Sequence, residues 1–295
     1  EFKLDQPAFN RYIYYLNDIS PISIHHPSDA SSNIYFNPES YNGSKLLPLG
    51  NYSLYLKYPY LGISFQNKEK VGSILPKKIV STVILATGAI IFASIIGILF
   101  GILAALNQNT FWDRFAVTIS IFGISIPSYF LAILLSMYIG YYMHDIFGLN
   151  FRGDLIDYDD LGEHKILMWQ NLILPIIALG LRPVAISTQM TRNSMLDVLS
   201  QDYVRTAKAK GLSNFKVIFK HTLRNALNPV LTSISGWFGS LLAGAYFIEI
   251  IFDLKGLGHL TVSSLMKFDF PVVMGSALFI ACTFVVINIV VDVLY

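Results

Sequence analysis

One cysteine, Cys282, stands in a chain of 295 residues, and it lies inside an apolar run. Neither a disulfide framework nor a cysteine-based metal site is therefore available. Charge is scarce as well. Only 14% of the residues are charged and 54% are hydrophobic, where a soluble domain carries about a quarter charged residues. The phosphate loop GxxxxGK[ST] is missing, so the chain has no such cradle for ATP. HExxH, GxSxG and paired intramembrane aspartates are missing too, which leaves little ground for membrane proteolysis. The histidines are scattered; the one close pair, His25-His26, is expected to be a surface pair rather than a metal site. No catalytic residue and no metal ligand is assigned.

The apolar residues are gathered in blocks long enough to cross a bilayer, which takes roughly 20 residues per helix. Five spans are expected: Ile79–Leu106, Phe115–Met143, Leu172–Met190, Val230–Phe252 and Val272–Tyr295. Ahead of them, residues 1–77 are polar to mixed, rich in tyrosine, and broken by turn signals such as Ser20-Pro21, His26-Pro27 and Asn42-Gly43. That part is expected to be water-facing and partly structured. The chain starts at Glu1 without methionine and stops at Tyr295 within an apolar block, so it is expected to be a piece cut at both ends. The absence of a signal peptide is then uninformative.

Loop charge sets the orientation. Between Arg192 and Arg224 there are seven basic residues (Arg192, Arg205, Lys208, Lys210, Lys216, Lys220, Arg224) against Asp197 and Asp202. Between His144 and Gln170 six acids (Asp145, Asp154, Asp157, Asp159, Asp160, Glu163) face Arg152 and Lys165. Basic loops stay in the cytoplasm. The 191–229 loop is therefore expected inside, and the 144–170 loop and residues 1–77 outside. An outward N-terminal segment is then expected to follow one more span before Glu1, which would give six in the whole protein.

Polar residues inside the spans are few, and each is a candidate for a translocation path. They are Arg182 and Gln189 in the third span, Glu249 in the fourth, and Asn288 and Asp292 in the fifth. Glu249 and Asp292 lie near span ends and suit interhelical hydrogen bonds as well. The sequence SIPSY at 125–129 places Pro127 and Ser128 mid-span, where proline removes a backbone hydrogen bond and should kink the helix. Small residues recur every four positions, Gly97 and Gly101, then Gly236, Ser240 and Gly244, a pattern that lets helices approach closely.

The segment DYVRTAKAKGL, residues 202–212, answers to none of this. It predicts a short helix with Asp202 as N-cap and Gly211 as C-terminal stop. Val204, Ala207 and Gly211 give it a small face, while Arg205 and Lys208 give it a basic one. Such a helix suits docking in a cleft on a soluble partner, or resting on anionic lipid.

At this point the residues resemble a family. DYVRTAKAKGLS with HTLRNALNPV resembles the cytoplasmic signature loop of binding-protein-dependent ABC transporter permeases, in the dipeptide, oligopeptide and nickel branch. The general signature is Glu-Ala-Ala-x-x-x-Gly; here Arg205-Thr206-Ala207 precede Gly211 at that spacing, the form of the peptide branch. LDQP (4–7), LAALNQNTFWDR (103–114), SIPSYF (125–130), LPIIALGL (174–181), GAYFIEIIFDLKGLG (244–258), DFPVV (269–273) and NIVVDVLY (288–295) agree in order. Residues 17–58 match nothing in the pattern and are expected to be an enlarged external segment.

The resemblance implies an all-α polytopic membrane protein with the type I ABC importer permease fold, in the bacterial cytoplasmic (inner) membrane. It implies a second permease subunit, two cytoplasmic ATPases, an external solute-binding protein and a peptide substrate; nucleic acid has no place. ATP and Mg would be used by the partners, with no cofactor on this chain. The signature helix becomes a coupling helix. Asp202, Tyr203, Arg205, Thr206, Ala207, Lys208 and Gly211 are then the candidates for ATPase contact, with Arg224 and Asn225 bracing the next helix. A passive channel or a membrane scaffold using the external segment are the alternatives.

Overall fold

A computed structural model describes residues 6–158 and 165–294. Leu4, Asp5, Asp159, Asp160, Glu163 and Tyr295, and the side chains of Asp157, Lys165 and Asp292, lie outside the described residues, as does the surrounding of Gly244. The chain divides into two compact units, residues 1–77 with 263–278, and residues 78–262 with 279–295.

In the first unit, helix α1 (Ala8–Ile19) precedes three short strands, β1 (Ile22–His25), β2 (Gly43–Leu49) and β3 (Tyr52–Lys57). They pair antiparallel in the order β1-β3-β2, with Ile22 opposite Leu56 and Leu49 opposite Tyr52. The helical expectation thus holds for the spans, while the N-terminal segment adds a sheet. Period-two alternation is the reason, but its sense is inverted. Ser23, His25, Ser53, Tyr55 and Lys57 point inward, whereas Ile22, Ile24, Leu47 and Leu56 are exposed. His25 is fully buried, contrary to the expected surface pair. Its ring reaches Ser23 Oγ at 3.0 Å and the Ile34 carbonyl at 3.2 Å, beside a Phe36–Tyr55 stack with centroids 4.1 Å apart. In the same unit the buried Asp269 carboxylate accepts Ser64 Oγ at 2.5 Å and the Phe65 N–H at 3.0 Å.

Among the described residues, the second unit is helical apart from one small hairpin. Its elements begin with α2 (Val71–Leu106), which starts in the first unit, and α3 (Phe111–Ser125). Then come α4 (Ser128–Leu135), continued by a π-helical stretch Ser136–Tyr142, and the short α5 (His144–Phe147). Strands β4 (Ile156–Tyr158) and β5 (Lys165–Leu167) lead to α6 (Gln170–Leu199), α7 (Asp202–Ala209) and α8 (Asn214–Lys216), the last followed by π-helical Val217–Leu223. The chain closes with α9 (Arg224–Phe252), α10 (Leu257–Met266), whose end from residue 263 belongs to the first unit, and α11 (Phe270–Leu294), whose start as far as residue 278 belongs there too.

Three of these helices, α2, α6 and α11, are long and apolar enough to cross a membrane. The number rises to five if Phe111–Tyr142 and Asn214–Phe252 each count as one bent span. Pro127 does more than kink its span. Helix α3 ends, Pro127 stands extended (φ −61°, ψ 134°) as the residue before α4, and the two helices meet at 102°. The missing proline N–H and its bias on the preceding residue account for the break. Helix α6 is central, packing on α3, α4 and α9. Leu85, Ala89, Leu174, Ala178, Ile248 and Phe252 form the main core. The Gly97/Gly101 stripe serves α6: a Cβ on Gly97 would stand 2.5 Å from the Ser187 Cβ. Gly236, by contrast, faces open space.

Candidate functional site in the basic loop

Helix α6 delivers the chain to the basic loop, and its last turns are clamped. Arg192 donates Nε–H to Asp113 Oδ1 at 2.5 Å and Nη2–H to Oδ2 at 2.8 Å. Asp113 Oδ2 also accepts the Asn109 N–H at 2.9 Å, where Asn109 turns the α2–α3 connection with φ of 64°. Asp113 is buried, so the planar fork of arginine meets a carboxylate shielded from water. No sequence spacing links residues 79 apart.

Helix α7 follows after Ser200 and Gln201. Gln201, not Asp202, occupies the extended cap position (φ −72°, ψ 147°). Asp202 is the first helical residue, where its charge favours the helix dipole. The Asp202 carbonyl accepts Thr206 Oγ1–H at 2.9 Å. Arg205 Nη1 lies 3.7 Å from Asp202 Oδ1, an exposed pair that contributes little.

The small face of α7 points into the chain itself. Val204 is fully buried and Ala207 is 6% exposed. Both pack on Val217, with Val198, Leu199 and Leu212 around them. Ala207 is therefore corrected from a partner contact to an anchor: its methyl is spent against the chain's own core. What α7 presents outward is Asp202, Tyr203, Arg205, Thr206 and Lys208.

Two devices hold that orientation. Gly211 adopts φ of +75°, its N–H donating to the Lys208 carbonyl at 3.0 Å and the Leu212 N–H to Ala207 at 3.4 Å. Only a residue tolerant of left-handed backbone closes α7 this way. Asn225, at the start of α9, donates Nδ2–H to Tyr203 Oη at 3.0 Å and to the His221 carbonyl at 3.1 Å. Arg224 is exposed, and its guanidinium has no hydrogen bond to the described residues.

The path candidates stand on or beside four helices, α4, α6, α9 and α11. Pro127 and Arg182 are exposed, while Ser128, Gln189 and Asn288 are half-buried. Arg182 lies 5.7 Å from the Trp237 ring centroid, and Asn288 donates to the Phe284 carbonyl of its own helix at 2.8 Å. Glu249 is corrected outright. Its carboxylate is buried, accepting Thr82 Oγ1–H at 2.6 Å and the His259 N–H at 3.0 Å. Thr82 Oγ1 in turn accepts the Leu257 N–H at 2.8 Å. A Cβ on Gly256 would run into that carboxylate, and one on Gly258 would run into Tyr246 and stand 3.1 Å from Glu249 Oε2. Glu249 thus satisfies the free amides at the start of α10 and lines no open route.

An apolar helical bundle with a proline-broken span, a central helix and a short basic helix clamped at its base is a polytopic membrane protein. The comparisons say which kind. Residues 97–295 match the family described as binding-protein-dependent transport system inner membrane component, and the chain belongs to it. It is 38% identical over 251 residues to the dipeptide transport system permease protein DppB of Escherichia coli (strain K12), covering 80% of this chain and 74% of that protein. It is 40% identical over 210 residues to DppB of Bacillus subtilis (strain 168), covering 70% and 62%. It is 37% identical over 234 residues to the glutathione transport system permease protein GsiC of Escherichia coli (strain K12), covering 79% and 72%.

Among solved structures, the inward-facing MetNI methionine ABC transporter matches with a TM-score of 0.59 at 16% identity, covering 75% of this chain and 94% of that one. An amino acid ABC transporter solved with histidines matches at 0.54 and 11%, covering 74% and 91%. These show the fold alone, that of ABC importer permeases. The chain is an inner-membrane permease subunit of an ABC transporter.

Proposed function

We propose that this permease imports di- and oligopeptides by alternating access, driven through α7 by a cytoplasmic ATPase. The peptide substrate is supported by the names of the relatives, dipeptide and glutathione transport permeases. The assembly would hold a second permease subunit and two ATPases, with an external solute-binding protein delivering the peptide. ATP and Mg belong to the ATPases; this chain binds no cofactor and supplies no reacting side chain. Residues 1–77 and 144–170 face outward and the 191–229 loop inward, as the distribution of lysine and arginine favours.

The observation that carries the coupling role is the two-sided construction of α7. Its apolar side is locked to the chain by Val204 and Ala207, and its polar side is left exposed. A helix merely resting on lipid would turn its apolar side to the bilayer. Locked as it is, α7 moves as one body with the ends of α6 and α9. ATP then shifts the bundle only to the extent that the ATPase binds it more tightly in one of the two states.

The test is ATP-dependent uptake of a labelled dipeptide into proteoliposomes holding the assembled transporter. Lys208→Glu combined with Arg205→Glu should insert normally and abolish uptake. Uptake unchanged by the reversal, or persisting without ATP, sinks the coupling role.

A further inference from the structure

The N-terminal unit holds a cavity of about 660 Å³ that no feature of the coupling loop explains. Its volume lies in the range of sites for small organic ligands. One wall is helix α1, through Ala8, Arg11, Tyr12, Tyr15 and Asp18. Spacings of three, four, seven and ten from Ala8 put these side chains along one helical face. The facing wall includes Leu61, Phe65, Phe270 and Met274.

The far end of this cavity is built rather than incidental. The Asp18 main-chain oxygen accepts the Tyr60 N–H at 3.0 Å and the Lys57 ammonium. Tyr41 donates its hydroxyl to Asp18 Oδ1 at 2.7 Å and packs its ring 5.1 Å from that of Tyr60. These bonds hold the Asp18 carboxylate as the negative pole at one end of α1, its charge offset in part by the Lys57 ammonium. Arg11 supplies the positive pole, seven residues and two turns away, about 10.5 Å along the axis at 1.5 Å per residue. Tyr12 and Tyr15 lie between. Burial pushes the Tyr15 phenol up from its ordinary range, which keeps it a neutral hydrogen-bond donor.

A molecule matching this cavity carries opposite charges about 10 Å apart on a body with apolar side groups. An extended chain spans 3.3–3.6 Å per residue, so three residues bridge about 10 Å. We propose that the cavity is an external binding site for a short zwitterionic peptide, its carboxylate on Arg11, its ammonium toward the Asp18 pole, and its side chains against Tyr12, Tyr15, Phe65 and Phe270. The site rests on the reading of the chain as a peptide permease, and it adds a length limit, since longer peptides cannot keep both ends on α1. It would hold peptide on the permease itself, independently of the solute-binding protein.

The experiment uses the assembled transporter in nanodiscs without its binding protein, and radiolabelled alanyl-phenylalanyl-alanine as probe. The expected result is saturable binding that weakens about tenfold in Arg11→Gln, the order of one charge-assisted hydrogen bond. Arg11→Lys should recover most of it, and Ala8→Trp should fill the cavity and remove binding. The C-terminal amide of the same peptide should bind wild type as weakly as Arg11→Gln does. Equal binding of acid and amide, or wild-type affinity in Arg11→Gln and Ala8→Trp, overturns the site. Binding-protein-dependent uptake of the tripeptide separates the two readings. Normal uptake with no binding to the nanodisc-held permease removes the cavity site alone, whereas no uptake of any peptide removes the substrate reading on which it rests.

Discussion

Arg192 and Asp113 form a two-bonded ion pair, Nε to Oδ1 at 2.5 Å and Nη2 to Oδ2 at 2.8 Å, between the last turns of α6 and the first turn of α3. The pair stands where α6 gives way to the basic loop. In the proposed coupling role, a push on α7 would reach α6 at a point that is already tied to α3. Removing the arginine leaves a buried carboxylate without its partner, at a cost of roughly 3 kcal/mol. Arg192→Ala should accordingly lower the unfolding midpoint of the purified protein in detergent by several degrees. Arg192→Lys keeps the charge but loses the fork, and its midpoint should fall between the two.

Gly211 carries a different kind of constraint. Its φ of +75° is left-handed, yet a Cβ there would meet nothing within 4 Å. The cost of a side chain is thus backbone strain alone, on the order of 1–2 kcal/mol for a branched residue. Gly211→Val should insert into the membrane in normal amount and lose ATP-dependent uptake. Gly211→Asn tolerates the left-handed turn better and should retain much of it. Equal uptake by Gly211→Val and wild type contradicts the role given to this turn.

Much of this loop is legible in the sequence. The helix, its glycine stop and its division into small and charged faces follow from spacing and residue type. Which face turns outward does not follow, because it depends on Val217 and Leu212 arriving from beyond the turn. That is why Ala207 reads as a partner contact in sequence and as an anchor in the fold. The Arg192–Asp113 clamp is illegible for a similar reason: its two halves lie on separate helices, and nothing local pairs them. Glu249 shows the converse. A carboxylate in an apolar run signals a functional path, but Gly256 and Gly258 downstream mark where a backbone must pass close to it. The inverted sheet defeats pattern reading altogether, since alternation gives the two faces without saying which one is buried.

Glu249 ties α2, α9 and α10 together rather than lining a route. Removing its carboxylate by Glu249→Ala strands the amides at the start of α10 and Thr82 Oγ1–H. Stability should fall by roughly 2–3 kcal/mol, the penalty for buried groups left unpaired. For a structural tie, Glu249→Gln in the assembled transporter should leave KM for a dipeptide unchanged and lower only the amount of folded protein. A rise in KM at equal protein level would return Glu249 to the path.

Lys57 makes the N-terminal sheet more stable in mild alkali than at neutral pH. Burial lowers its ammonium to about 8, with the nearby Asp18 charge opposing the shift. The folded state therefore gives up the proton before the unfolded state does, whose lysine titrates near 10.5. Between about pH 8 and 10 the unfolded chain holds more protons, so stability rises with pH. Above about pH 10 Tyr41 opposes this, because burial and Asp18 push its phenol upward and the folded state resists its ionisation. Cleavage at the Gly50-Asn51 tip by a protease, corrected for the enzyme's own pH response, should slow from pH 7 to pH 9.5. In Lys57→Met the slowing should vanish.

The most direct test of the coupling role is a site-directed cross-link from the exposed face of α7. With Cys282 replaced by serine, a single cysteine at Arg205 or Lys208 is joined to the ATPase subunit in the assembled transporter, and ATP-driven dipeptide uptake is followed. A cross-link should form from either position, and from neither Gly236 nor Asn288 in the bundle. It should stop uptake, and reducing the link should restore it. Absence of any cross-link from α7, with uptake intact, contradicts the account.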